Sequence, residues 1–211
     1  MKNVGNAIII GDSYSTFAGF VPEGYGVWYN TDTTVTRTDV YSQADTWWGR
    51  LFSSVEGKLI RNESWSGTTV CTTTRPNFGG TEFVTRLDRL VARGFFKENN
   101  IETVFVFGAT NDSWIDSPIG ETKYGDITEE DKKCVLPAFC YLIEVLKREA
   151  PRARIIAIVN TELKDEIRGG MKTACDYYGV EAVMLENISK QNGHPDMQGM
   201  REIEEQVKNR L

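Results

Sequence analysis

The stretch Ala7-Ile8-Ile9-Ile10-Gly11-Asp12-Ser13-Tyr14-Ser15 reads as a short buried strand followed at once by a polar turn. Apolar, Ile-rich runs of this length suit strands covered on both faces, as in a parallel sheet. Comparable runs recur at Leu59 to Asn62, Val104 to Phe107, Ile155 to Val159 and Ala182 to Leu185. Helical spacings lie between them. Trp48, Leu51, Phe52 and Val55 form one pattern, closing at Gly57, and Phe83, Leu87, Leu90 and Val91 form the next, closing at Gly94. A capping-box-like Thr128-Glu129-Glu130-Asp131 opens a long helical pattern to Ala150, in which Pro137 is expected to produce a kink or a split. Ile167, Met171, Ala174 and Tyr178 stop at Gly179, and Met200, Ile203 and Val207 mark a last helix. Strand and helix therefore alternate, which predicts an open α/β sheet with helices on both faces and a ligand site at the carboxyl ends of the strands.

The 211 residues fit one domain spanning residues 1–211. Two connections, 16–45 and 113–127, are too long to be plain links; both leave the carboxyl end of a strand and are expected to border the site. With 40% hydrophobic and 26% charged residues and no repeat, the composition is that of a globular chain and not of a disordered one. A net charge of -6 and a pI near 5.0 argue against a nucleic acid partner held through phosphates. The early apolar run is too short for a signal-peptide core or a membrane span, so the expectation is a cytoplasmic protein with no membrane partner. Cys71, Cys134, Cys140 and Cys175 lack metal-ligand spacing, and His194 is the single histidine, so a Cys/His zinc site is disfavoured and reduced, buried thiols are expected. Oligomeric state leaves no signal in the sequence.

Four polar segments carry chemistry. Ser13, just past a strand end, is placed to present its hydroxyl at the site, although Asp12 and Ser13 equally suit a local turn. In Asn62-Glu63-Ser64-Trp65-Ser66-Gly67 the last residue offers an unobstructed backbone N–H, or simply a glycine turn. Gly108-Ala109-Thr110-Asn111-Asp112 sets an amide at the sheet rim, where it donates to developing negative charge or forms an Asx turn. Gly193-His194-Pro195 precedes the final helix, and a lone histidine is more often a surface or core residue than a base. Aromatics crowd the long loops. Tyr14, Trp28, Trp65 and Trp114 are candidates for contact with a sugar face or a small acyl group, whereas others, including Trp48, suit the core.

In order and in placement after successive strands, these four segments resemble the sequence blocks of the SGNH (GDSL) hydrolase superfamily of esterases and lipases, over nearly the whole chain. The resemblance implies a three-layer α/β/α, flavodoxin-like fold with a five-stranded parallel sheet, a serine esterase activity through an acyl-enzyme, and no metal or organic cofactor. It further implies Ser13 as nucleophile, His194 as general base, and the Ser13 N–H, the Gly67 N–H and the Asn111 side chain as oxyanion donors. The aromatic loops favour a small acyl ester, such as an acetylated carbohydrate, as substrate. One position departs from the family pattern: Gln191 stands where an aspartate usually precedes the histidine by three residues. Either Gln191 orients the ring, or Asp196 or Glu186 substitutes, or a backbone carbonyl holds it and leaves a Ser-His dyad. An unperturbed histidine pKa of about 6.5 predicts activity falling below that pH. Two rivals remain from the sequence: a carbohydrate-binding relative with weak catalysis, motivated by Gln191, and a flavin protein, disfavoured by the absence of a Thr/Ser-rich phosphate loop after the first strand.

Overall fold

In the computed structural model, which describes residues 2–35 and 37–211, the expected strands become β1 (Asn3–Gly11), β2 (Glu56–Ser64), β3 (Thr103–Gly108), β4 (Arg154–Val159) and β5 (Glu181–Met184). They form one parallel sheet in the order β2-β1-β3-β4-β5, the flavodoxin-like arrangement. Period-two alternation divides the core. Ile8, Ile10, Val104, Val106, Ala157 and Val159 pack toward α2 (Phe83–Ala92), α5 (Val135–Glu149) and α6 (Asp165–Tyr178). Ala7, Ile9, Phe105, Phe107, Ile156 and Ile158 pack toward α1 (Trp47–Ser54) and α7 (Met197–Asn209). Both faces are covered, so polar chain emerges at the two edges of the sheet, and the ligand site of such a fold lies at the carboxyl one. Gly11 pairs with Ser64 on one side and Phe107 on the other, so the turns after β1, β2 and β3 leave side by side.

Several elements depart from the sequence expectation. Helix α1 ends at Ser54, and Gly57 lies inside β2 opposite Gly5, because pairing with β1 captures the chain as soon as the helix stops. Pro137 neither kinks nor splits α5. It is the third residue of that helix, where its missing N–H would have had no intrahelical acceptor. The capping-box segment instead closes on itself: the Thr128 N–H and hydroxyl donate to Asp131 before a separate 3-10 turn, Asp131–Lys133. Cys134 is consequently the N-cap of α5 and half-buried, while Cys71, Cys140 and Cys175 are buried free thiols. Two short helices, α3 (Phe95–Glu98) and α4 (Thr110–Trp114), and a two-stranded ribbon of β6 (Lys190–Gln191) and β7 (His194–Pro195) complete the fold. Among the described residues no helix is long and apolar enough to cross a membrane.

The carboxyl edge is tied together by a buried cation. Arg86, fully buried on α2, donates to the carbonyl oxygens of Gly11 (3.0 Å), Thr81 (2.7 Å) and Glu63, and to the Thr68 hydroxyl (3.2 Å). The ends of β1 and β2 and the loop between β2 and α2 thus share one guanidinium. Burial lowers its pKa to about 10, which leaves it charged at neutral pH. Arg86→Met would orphan several buried acceptors, each costing about 1–3 kcal/mol. We expect a loss of about 3 kcal/mol or more, measured as a lower urea midpoint at unchanged slope; a loss below about 1 kcal/mol would contradict this role.

Candidate active site

Ser13 is fixed from three sides. Asp12 Oδ1 accepts the Tyr14 N–H (3.0 Å), which closes a single 3-10 turn over Ser13–Ser15 directly after β1. From α1, Trp47 Nε1 donates to Ser15 Oγ (3.1 Å) and Trp48 Nε1 to the Ser15 carbonyl (2.9 Å), which also accepts from Asn62 Nδ2 (2.8 Å). Desolvation pushes the buried Asp12 carboxyl up to about 7.

His194 arrives on the β6–β7 ribbon. Its turn is Asn192-Gly193, with φ of 53° and 76°, the left-handed pair that a two-residue hairpin turn requires. Tyr14 Oη donates to the Gly193 carbonyl (2.7 Å) and Tyr29 Oη to that of Pro195 (2.8 Å), so two buried tyrosines grip the ribbon on either side of the histidine. His194 Nε2 lies 2.9 Å from Ser13 Oγ, and Nδ1 lies 3.2 Å from the Asn192 carbonyl oxygen. A carbonyl only accepts, so Nδ1 carries the proton and Nε2 presents its lone pair to the serine hydroxyl.

None of the three side chains considered from sequence is hydrogen-bonded to the ring. Gln191 is exposed. Asp196 caps α7, accepting the Gly199 N–H (2.8 Å) and the Ser189 hydroxyl (2.7 Å). Glu186 is exposed, with its backbone paired to the Gln206 amide. The ring sits instead among aromatics: Trp28 stacks on it at 3.5 Å and 8°, and Trp114 meets it edge-on at 5.7 Å. Burial, reinforced by the charges of Lys190 and Arg37 and opposed by the Asn192 carbonyl, lowers the His194 pKa to about 4, well below the value assumed from sequence.

Beside the pair lie three donors. Ala109 takes a left-handed φ of 73°, which turns the chain sharply out of β3 and sets Asn111 on the first turn of α4. Asn111 Nδ2 is buried with no hydrogen-bond partner, while its Oδ1 accepts from Arg75 Nη1 (2.7 Å). Gly67 has a φ of 86°, and a Cβ there would stand 2.7 Å from the Phe78 ring, so glycine is required on two counts. Neither the Gly67 N–H nor the Ser13 N–H donates to any of the described residues. Ser13, His194, Gly67, Asn111, Trp28, Trp114, Arg75 and Phe78 line one cavity of about 200 Å³. A larger one, about 600 Å³ beside Gly120, Cys134 and Pro137, holds no nucleophile and base pair, so volume alone does not mark the site. Among the described residues no three His, Cys, Asp or Glu side chains are grouped to hold a metal ion.

Two aromatic candidates are corrected. Tyr14 is fully buried and holds the His194 ribbon, out of reach of a substrate. Trp65 stacks on Tyr25 at 4.1 Å and is not part of the cavity wall. Arg75 and Phe78, on the 68–81 segment, escaped the sequence reading because nothing periodic marks that loop. Asp112 pins its start by accepting the Val70 (2.9 Å) and Cys71 (3.1 Å) N–H groups. The Asn192-Gly193 pair was a readable hairpin signal.

Comparison with known proteins places this geometry. The pattern of the GDSL-like lipase/acylhydrolase family matches residues 6–211. A protein from Bacteroides uniformis ATCC 8492, described as a GDSL-like lipase, has a solved structure that is 39% identical, with a TM-score of 0.89 and coverage of 98% of this chain and 95% of its own. A second, from Bacteroides ovatus ATCC 8483, is 34% identical with a TM-score of 0.89, covering 99% and 98%. An acetyl xylan esterase from Butyrivibrio proteoclasticus shares the fold at 17% identity and a TM-score of 0.57, covering 99% of this chain and 63% of its own. No curated protein matches. The chain belongs to the GDSL-like lipase/acylhydrolase family and is a serine hydrolase of the SGNH type.

A base with a pKa of about 4 is neutral, and able to take a proton, at every pH above that value. The acid limb of kcat/KM is therefore expected near pH 4. A limb at the ordinary histidine value of about 6.5 would contradict the lowering by burial. In the same assay Gln191→Ala, Glu186→Gln and Asp196→Asn should each keep kcat within about threefold, against up to about 10⁴-fold for loss of a triad aspartate.

Proposed function

We propose that the protein hydrolyses short acyl esters, with acetylated carbohydrates as the favoured class, through an acyl-enzyme on Ser13. The observation that carries this reading is the 2.9 Å contact between Ser13 Oγ and His194 Nε2, beside the unpartnered Asn111 Nδ2. His194 takes the hydroxyl proton as Ser13 attacks the ester carbonyl. The oxyanion so formed accepts from the Ser13 N–H, the Gly67 N–H and Asn111 Nδ2. His194 then protonates the leaving alcohol, and water repeats the cycle on the acyl-enzyme. Without a carboxylate at Nδ1, the transient imidazolium is stabilised by the Asn192 carbonyl and by the face of Trp28.

The substrate class follows from size and surface. A cavity of about 200 Å³ is smaller than the sites that take drug-sized ligands, which favours an acetyl-sized acyl group over a long chain. The 43% exposed Trp114 offers an aromatic ring to a sugar, while the ring of Trp28 is taken up by His194 and Arg37. The fold is shared with a family two carbohydrate esterase from Clostridium thermocellum, solved in complex with cellohexaose, at 16% identity.

A fluorophosphonate probe should label Ser13, and a p-nitrophenyl ester series should show acetate turned over faster than octanoate. Ser13→Ala and His194→Ala are expected to remove nearly all activity while folding normally; retention of more than about a tenth would overturn the assignment. Asn111→Ala should lower kcat about 10²-fold to 10³-fold with little change in KM. A chain that binds acetylated sugars but resists the probe would be a binding protein on the same scaffold.

A further inference from the structure

The geometry points to Arg75 as the positioning residue of the oxyanion site: one guanidinium nitrogen holds both the Gly67 turn and the Asn111 amide in the orientation that frees their donors. This rests on the proposed use of those donors. Arg75 Nη1 donates to the Gly67 carbonyl (2.9 Å) and to Asn111 Oδ1 (2.7 Å). That nitrogen carries two hydrogens, and each has a partner.

The first consequence is the direction of the amide. An asparagine side chain presents either its oxygen or its NH₂ to a given neighbour, and the two ends have nearly the same shape. A guanidinium has no acceptor, so the end facing Arg75 must be the oxygen. The NH₂ is then left on the other side, where it is buried without a partner. Leaving a buried donor unmade costs about 1–3 kcal/mol, a cost a free amide would escape by rotating. Arg75 opposes that rotation, since the flipped amide would set NH₂ against a cation.

The second consequence is electrostatic. Among the described residues no carboxylate lies within ion-pair distance of Arg75, so its charge is not neutralised locally. A cation on Oδ1 draws electron density through the amide and makes the Nδ2 hydrogens better donors. The same nitrogen joins the loop after β2 to the first turn of α4, fixing the distance between two donors that belong to different elements. Lysine would keep the charge but not the planar fork that serves both acceptors.

The test is a double-mutant cycle on p-nitrophenyl acetate, with Ser13→Ala as the blank. Arg75→Met should lower kcat roughly 10-fold to 100-fold with KM within about twofold, and should weaken a trifluoromethyl ketone inhibitor, which forms an oxyanion on the serine, by the same factor. Arg75→Met combined with Asn111→Ala should lose less than the product of the two single losses, because Asn111→Ala already removes the part of the Arg75 effect that passes through the amide, and what Arg75→Met still costs in that background is the part it exerts through the Gly67 turn. Arg75→Lys, the milder change should Arg75→Met fail to fold, is expected to recover part of kcat but not all. A wild-type kcat in either variant, an effect on KM alone, or additive losses in the cycle would each overturn the proposal. If the wild type shows no Ser13-dependent hydrolysis, the esterase reading falls and this proposal falls with it; if that hydrolysis is present but insensitive to Arg75, only this proposal falls.

Discussion

The hydroxyl of Tyr14, one residue past Ser13, donates to the carbonyl of Gly193, one residue before His194. These residues are 179 apart in sequence, and no regular element joins them. The sheet delivers Ser13 with precision, because β1 lies between β2 and β3 and both hydrogen-bond to it. The histidine has no such support: it rides on a ribbon of two residues per strand. A free two-stranded ribbon is marginal in water, so its placement must come from tertiary contacts. Tyr14 and Tyr29 supply them, and their own rigidity comes from burial against the aromatic core under β3.

That arrangement supplies by other contacts part of what a carboxylate supplies in a triad. In a triad the acid orients the ring, selects its tautomer and stabilises its protonated form. Here the Asn192 carbonyl selects the tautomer and the tyrosine-gripped turn orients the ring. Stabilisation of the charged form is the function left weak, and the lowered pKa of His194 expresses it. Buried among aromatics, with the positive charges of Lys190 and Arg37 acting on it, the ring prefers to be neutral. In the proposed mechanism a reluctant base is paired with a well-furnished oxyanion site, so more of the transition-state stabilisation falls on the donors than on the imidazolium.

The segment between β2 and α2 has a larger part than its irregular backbone suggests. Asp112 fixes its start, Arg86 its end, and Phe78 and Arg75 line the cavity between. Each anchor is a buried charged group satisfied mainly by backbone N–H or C=O groups. Such contacts hold irregular chain firmly, because breaking any of them strands a charge in the interior.

What the sequence by itself determined was set by local chemistry and periodicity. Ile-rich runs bounded by polar turns specify strands buried on both faces, and their alternation with helical spacing leaves few topologies besides the one observed. The ends of those strands made Ser13, Gly67 and Asn111 candidates, because an open α/β sheet forms its ligand site at the carboxyl edge, and only the resemblance of the four segments to the SGNH blocks chose a role for each over an ordinary turn. Local signals misled where a neighbour competed: Gly57 was captured by β1, and Pro137 lost its breaking effect by falling in a first helical turn. The tertiary structure alone decided what faces Nδ1 of His194, that Tyr14 is a buried strut and Trp65 no part of the cavity, and that Arg75 meets Asn111. These are contacts between residues far apart in sequence, made by side chains on irregular loops. Their direction depends on burial and on where other elements leave unmatched donors and acceptors, and no spacing along the chain records it.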